Sequence, residues 1–335
     1  MRILVTGGTG FLGRPLTAHL AGLGYECTVL TRDPARAARS GLAPGVKIAP
    51  CHGPLPPADA VIHLAGESIV GLWTRRKRHA ILASRVEGTR QLVAALHASA
   101  TRPHTLLSAS AVGFYGDRPG ETLDETSAPD PAARFRSTVC REWEAAANEA
   151  EALGIRVVNL RLGNVLAADG GYLGGLLPIY RALGGIALGN ADAKISWIAR
   201  EDAVRLIAFA LAHDRWFGPL NVTAPHAATQ REFSTALAAQ LHRRVLTRLP
   251  APLLRAVLGE FSSALLDDQC VLPAKALAAG FNFAQPTLPD FLRPPPPDFP
   301  LAHGMVPAFS PGSHEESHSR SARAADPRAG GFCRL

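Results

Sequence analysis

Cysteine is scarce. The 335 residues hold five, an odd number (Cys27, Cys51, Cys140, Cys270 and Cys333), and no two stand in CxxC spacing. That scatter argues against a disulfide framework or a zinc site and fits reduced thiols, so the expected location is the cytoplasm or another intracellular reducing compartment, with no structural metal. Long apolar runs are missing as well: none approaches the ~20 residues that a membrane-spanning helix needs. Met1 to Gly7 turns glycine-rich too soon for the apolar middle of a secretory signal, and no membrane partner is expected. Nucleic-acid signatures are lacking too. The densest basic run, Arg75-Arg76-Lys77-Arg78-His79, has no interleaved aromatics, no helix-turn-helix or zinc-finger pattern appears, and the run reads as a solvated face.

What is present describes an ordinary globular protein long enough for two lobes, with 47% apolar and 19% charged residues. The net charge of +7 asks for an anionic partner, and a phosphorylated cofactor answers it as well as nucleic acid does. From Pro294 onward proline, serine, histidine, glycine and arginine dominate, a mixture that cannot pack a core. Its four arginines cancel Asp298, Glu315, Glu316 and Asp326, so the excess positive charge belongs to residues 1–293.

Within 1–293, short β-rich runs alternate with amphipathic helical stretches, which predicts an α/β fold, a Rossmann-type doubly wound parallel sheet. Strands are expected at 3–5, 26–30, 46–48, 59–64, 105–108, 155–160 and 220–222. Helices are expected after Phe11, over 84–97, over 137–153 and over 201–212. The expected organisation is a cofactor-binding domain over 1–160, completed by the strand near 220–222, then a substrate lobe over 161–293 and a proline-rich tail over 294–335.

The strongest local signal is Thr6-Gly7-Gly8-Thr9-Gly10-Phe11-Leu12-Gly13, set between the first strand and the first helix. A strand-to-helix turn leaves backbone N–H groups free at the positive end of the helix dipole, and glycines let a pyrophosphate reach them. Gly7 makes the tight turn, Gly10 admits the phosphates and Gly13 lets the helix pack on the sheet. Where the second strand ends, a carboxylate accepts hydrogen bonds from an adenosine ribose, whereas an arginine accommodates a 2′-phosphate. Here Thr31 stands at the acidic position and Arg32 follows, which favours NADP(H) over NAD. Asp33 leaves an alternative open, since it can pair with Arg32 or contact the ribose itself.

Thr6 to Gly13, the strand end Val61-Ile62-His63-Leu64-Ala65-Gly66 and the segment Ser108 to Gly116 resemble the extended short-chain dehydrogenase/reductases. More narrowly, Ser84-Arg85, Val139 to Glu144, Ser196-Trp197-Ile198 and Leu272 to Leu277 resemble an atypical branch of epimerase-family proteins, also described as nucleoside-diphosphate-sugar epimerases. The stretch from about 249 to 288 is similar to the small C-terminal domain of unknown function that this branch carries. The resemblance spans nearly all of residues 1–290. It implies cofactor contacts from the glycine turn, from Thr31 and Arg32, and from Leu64, Ala65 and Gly66, and it puts Ser110 at the catalytic serine position. It also implies a Tyr and a Lys four residues apart on the helix near Ser137, yet counting back from Glu144 those positions hold Arg136 and Cys140.

Losing that pair removes the usual proton donor and the charge that tunes it. Tyr115 and Cys140 are the candidate replacements, although Cys140 reads more readily as a packed helix residue. Arg136 reads as a solvated helix residue or as a binder of an anionic substrate group. His63 and Trp197 read as core residues, Asp202 as a helix cap or a functional acid, and Asn221 as a partner of substrate or backbone. Two readings follow: an NADP(H)-dependent oxidoreductase or epimerase-like enzyme acting on a small molecule, or an NADP(H)-binding sensor without turnover. Neither reading fixes an oligomeric state.

Overall fold

A parallel sheet covered on both faces needs strands that are apolar on both sides, and the short runs of valine, isoleucine and leucine meet that need. The computed structural model describes residues 1–167, 169–174, 185–240, 242 and 245–293; the segment 294–335, expected as a tail, lies outside the described residues. Strands β1 (Arg2–Thr6), β2 (Glu26–Thr31), β3 (Lys47–Pro50), β4 (Ala60–His63), β5 (Thr105–Ala111), β6 (Arg156–Leu162) and β7 (Gly218–Val222) form one sheet in the order β7-β6-β5-β4-β1-β2-β3, with every pairing parallel. The order reverses direction between β1 and β4, the place where open α/β sheets bind ligands at their carboxyl ends.

Alternation along each strand divides the core between two faces. Ile3, Val5, Ile62, Leu107 and Val158 face α1 (Gly13–Gly22) and α5 (Arg200–Ala212), where they join Leu16, Leu20, Leu206 and Ile207. Their neighbours Leu4, Val61, Leu106 and Val157 face the opposite way, onto Leu92, Val93 and Leu96 of α3 (Arg75–Ala98) and Ala147 of α4 (Phe135–Asn148). A separate cluster built on Leu166, Trp197, Phe233, Leu237, Leu254 and Leu288 forms the core of the later part of the chain. Ala276, Phe281 and Phe283 return to the first face and pack beside α5.

Three sequence expectations are corrected here. Helix α3 begins nine residues earlier than expected because Thr74 caps it, its hydroxyl accepting from the Lys77 amide at 3.2 Å. The basic run thereby becomes the first turn of a helix: Arg75, Arg76 and His79 are exposed as anticipated, whereas Lys77 pairs with Glu67 at 2.6 Å and Arg78 with Glu260 at 3.1 Å. Strand β5 also continues to Ala111, in register with Leu162, so Ser110 belongs to the strand and not to the loop beyond it. Cys27, Cys140 and Cys270 are free thiols. No helix among the described residues is long and apolar enough to cross a membrane.

Candidate functional site

The glycine turn between β1 and α1 is shaped by close approach. Gly7 has φ +70°, and a Cβ there would stand 2.8 Å from the Ala65 amide nitrogen. A Cβ on Gly13 would stand only 2.2 Å from the Gly7 carbonyl oxygen, so the helix rests directly on the turn. Gly10 closes the turn through its amide to Gly7 O at 2.9 Å and is exposed on its other side. Gly8 fits against Val29 of β2. Among the described residues, the amides of Phe11 and Leu12 have no hydrogen-bond acceptor, the state in which a helix start offers donors to an anion. The Phe11 ring is covered by Gly170 and Gly171, and the Arg200 guanidinium lies 5.1 Å from its centre.

The loop after β4, which carries Leu64, Ala65 and Gly66, is fixed to this turn by a relay of buried polar groups. The Ala65 amide donates to Thr6 Oγ1 at 3.3 Å, Thr6 Oγ1 meets His63 Nδ1 at 2.6 Å, and His63 Nε2 meets Thr89 Oγ1 at 3.0 Å. Thr89 spends its own proton on the Arg85 carbonyl, so the ring must donate from Nε2 and accept at Nδ1. Burial pushes the imidazole down to about 4, and His63 stays neutral. It is the core residue that the sequence suggested, with the added task of joining β1, β4 and α3. Gly66 leaves room for the Arg85 guanidinium, which donates to Glu67 O at 3.0 Å and lies 5.0 Å from the Trp143 ring.

At the end of β2 the side chains sort themselves by capping. Asp33 is the N-cap of α2 (Pro34–Ala38), its carboxylate accepting from the Arg36 amide at 2.9 Å, and its own amide donates to Thr31 Oγ1 at 3.2 Å. The alternative in which Asp33 serves the ribose is therefore disfavoured by a carboxylate already employed. Arg32 is exposed.

The carboxyl ends of β5, β6 and β7 carry a polar row. Ser110, Arg161 and Asn221 are register partners on adjacent strands, so their side chains share a face of the sheet. Glu144 of α4 reaches them. It accepts the Ser110 hydroxyl at 2.6 Å and takes Arg161 in a two-pronged pair, Nε to Oε1 and Nη2 to Oε2, both 2.9 Å. Arg161 Nη1 donates to the Tyr115 oxygen at 2.9 Å, and the Tyr115 hydroxyl reaches Asn221 Oδ1 at 2.8 Å. The Asn221 amide group continues to the Leu272 carbonyl at 2.8 Å.

This arrangement corrects two candidates. Tyr115 is 0% exposed, its oxygen is enclosed by three partners, and burial pushes the phenol up to about 12; it ties the strand ends to the C-terminal segment and is not placed to protonate a substrate. Cys140 is buried against α4's neighbours and pushed up to about 11, first by burial and then by the Glu144 carboxylate, so it is a packing thiol. Ser110 stands near the end of β5, 1% exposed, its hydroxyl donating to Glu144. Asp202 is a holding residue: its carboxylate accepts the Ala284 and Gln285 amides at 2.9 and 2.8 Å. Trp197 is wholly buried. Sequence reasoning missed Arg161, and it quoted Glu144 only as a family marker; a charged pair in the middle of apolar surroundings, on a strand and a helix that both border the serine, was the available signal.

Arg136, in the usual tyrosine position, lies across Gly113, whose absent Cβ would stand 3.3 Å from Nε. Its Nη1 donates to Ser263 O at 2.7 Å and to Asp267 Oδ2 at 2.9 Å. Arg136 and Asp267 line a cavity of about 390 Å³ together with Trp73, Asp117, Arg134, Phe135, Arg255 and Glu260. This cavity joins the first turn of α4 to the segment after the helix Ala251–Leu258.

With that geometry in place, two family models match the chain: NAD dependent epimerase/dehydratase family over residues 3–223, and domain of unknown function DUF1731 over residues 249–293. The epimerase family protein YfhF of Bacillus subtilis (strain 168) is 36% identical over 286 residues, covering 84% of this chain and 94% of its own length. The chloroplastic epimerase family protein SDR39U1 homolog of Arabidopsis thaliana is 35% identical over 302 residues, covering 88% and 86%. Among solved structures, human epimerase family protein SDR39U1 (isoform2) with NADPH superposes with a TM-score of 0.78 at 32% identity, covering 87% of this chain and 98% of that one.

Proposed function

The chain belongs to the NAD dependent epimerase/dehydratase family, and from that premise we propose that it is an NADP(H)-dependent oxidoreductase or epimerase-like enzyme acting on a small molecule. The observation that carries the proposal is the glycine turn. At the reversal point of the sheet it presents the amides of Phe11 and Leu12, unengaged among the described residues, and a Cβ at Gly7 or Gly13 would close it. Thr6 to Gly13 hold the pyrophosphate, Thr31 and Arg32 the adenosine 2′-phosphate, and Leu64 to Gly66 border the path toward the nicotinamide. NADPH in the complex of human SDR39U1 supports this choice over NAD. When bound, the cofactor supplies or accepts a hydride. Ser110, its proton on Glu144, offers a lone pair that accepts from a substrate hydroxyl and so orients it.

A second reading, a cofactor-binding sensor without turnover, is favoured by one observation: the tyrosine and lysine positions hold Arg136, engaged with Asp267, and Cys140, a buried thiol. Titration with NADPH and NADH, followed by NADPH consumption across carbonyl compounds and sugar nucleotides, separates the two. Binding with consumption is expected. Binding without turnover anywhere in the panel establishes the sensor, and no affinity for either nucleotide overturns both readings.

A further inference from the structure

The cavity beside Arg136 is lined by three arginines, Arg134, Arg136 and Arg255, and three acids, Asp117, Glu260 and Asp267, and the arginines are not equally engaged. Arg134 is held by Asp130 at 2.9 Å and lies 3.8 Å from Asp117, and Arg78 pairs with Glu260. Arg255 is exposed and has no ion pair among the described residues. Arg136 has one carboxylate partner, Asp267, and that carboxyl is only 11% exposed. One wall is aromatic: the Trp73 ring meets Phe135 edge-on at 5.4 Å and Phe261 at 5.9 Å.

We infer that this cavity binds a small carboxylic acid as its carboxylate, which takes the place of the Asp267 side chain on Arg136 and draws on Arg255 as a second cation, with its apolar body against Trp73 and Phe135. The Asp267 side chain already demonstrates the pairing, since a carboxylate oxygen sits 2.9 Å from Arg136 Nη1. A guanidinium fork suits a planar carboxylate. The volume of about 390 Å³ falls at the small end of ligand cavities, suited to a compact acid.

Displacing Asp267 is made easier by its surroundings. Burial pushes its carboxyl up to about 6; Asp117 and Asp130 raise it further, while Arg136 and Arg134 oppose them. Once the incoming carboxylate holds Arg136, the released Asp267 side chain takes up one proton, so a small acid binds more tightly as pH falls toward that of Asp267. The inference stands apart from the oxidoreductase reading, and the binding is measured separately from NADPH affinity.

The experiment uses the full chain saturated with NADPH and titrates benzoate and hexanoate, with benzamide as the uncharged counterpart of benzoate, by calorimetry at pH 5.5 and 7.5. Both acids are expected to bind, benzoate at least tenfold tighter than benzamide and severalfold tighter at pH 5.5 than at 7.5. Arg136→Gln should lose at least tenfold for benzoate with NADPH affinity within twofold. Asp267→Asn, which removes the competing charge without changing shape, should tighten benzoate at pH 7.5 and abolish the difference between the two pH values. Failure of both acids to bind, equal affinity for benzoate and benzamide, or unchanged pH dependence in Asp267→Asn overturns the inference. NADPH affinity lost in the unmutated chain would instead strike the cofactor reading.

Discussion

Ser110 donates its hydroxyl proton to Glu144 Oε1 across 2.6 Å, and the same oxygen receives Arg161 Nε. One carboxylate thus holds both the serine of β5 and the guanidinium of β6, all three nearly excluded from water. Glu144→Gln keeps the shape but leaves Arg161 as an uncompensated buried cation. A loss of about 3–5 kcal/mol is expected in urea unfolding, against about 1 kcal/mol for Ser110→Ala, which removes a single hydrogen bond. Similar costs for the two variants would mean that the ion pair does not hold the strand ends.

Arg32 follows the end of β2, and Asp33 beside it is engaged in capping α2. Arg32→Ala should weaken NADPH binding by about tenfold or more, the worth of a charge-assisted contact, and leave NADH within about twofold. Fluorescence titration of both nucleotides checks this, and equal losses would sink the preference for the 2′-phosphate.

The Gly13 position has no room for a methyl group, since its nearest neighbour would be the Gly7 oxygen at 2.2 Å. Gly13→Ala should therefore displace the turn and reduce NADPH affinity at least tenfold, at a stability cost of about 1–3 kcal/mol. Gly22→Ala at the other end of α1, with nothing within 4 Å, serves as the matched control and should leave binding unchanged.

His63 gives the fold a dependence on acid. Its folded imidazole is held down to about 4, whereas in the unfolded chain it titrates near its ordinary value of 6.5. The unfolded state therefore takes up a proton first as pH falls. The stability contributed by this group is complete above about pH 6.5 and is lost progressively down to about pH 4, by up to about 3 kcal/mol. His63→Gln should be less stable at pH 7 yet fall less steeply between pH 7 and 4.5, as followed by urea midpoints at each pH. Parallel slopes for the two proteins would remove His63 as the source.

The sheet and its reversal point were legible because they rest on local patterns: an apolar run, a glycine cluster and an amphipathic helix, each within about ten residues. The glycine turn was readable for the same reason, down to the separate tasks of Gly7 and Gly13. Helix α3 began earlier than its apolar spacing indicated because Thr74, a cap, outweighs a polar first turn that offers no periodicity. The polar row was beyond reach. Ser110 and Glu144 are separated by 34 residues and Tyr115 and Asn221 by 106, and only the register of the strands together with the packing of α4 on the sheet makes them neighbours. Tyr115 looked available because it follows the serine closely in sequence; its burial is decided by Asp124, Asn221 and Arg161, which arrive from other elements. The pairing of Arg136 with Asp267 spans 131 residues and was equally invisible.

The lateral alignment of Ser110, Arg161 and Asn221 has a further consequence for assembly of the sheet. Sliding β6 by one position would turn its guanidinium toward hydrocarbon on the far side and leave the helix carboxylate without a counterion. Misaligned versions of the three neighbouring strands are thus penalised by two unmatched charges at once, so a row of water-loving groups supplies the alignment key that the interchangeable aliphatic side chains around it lack.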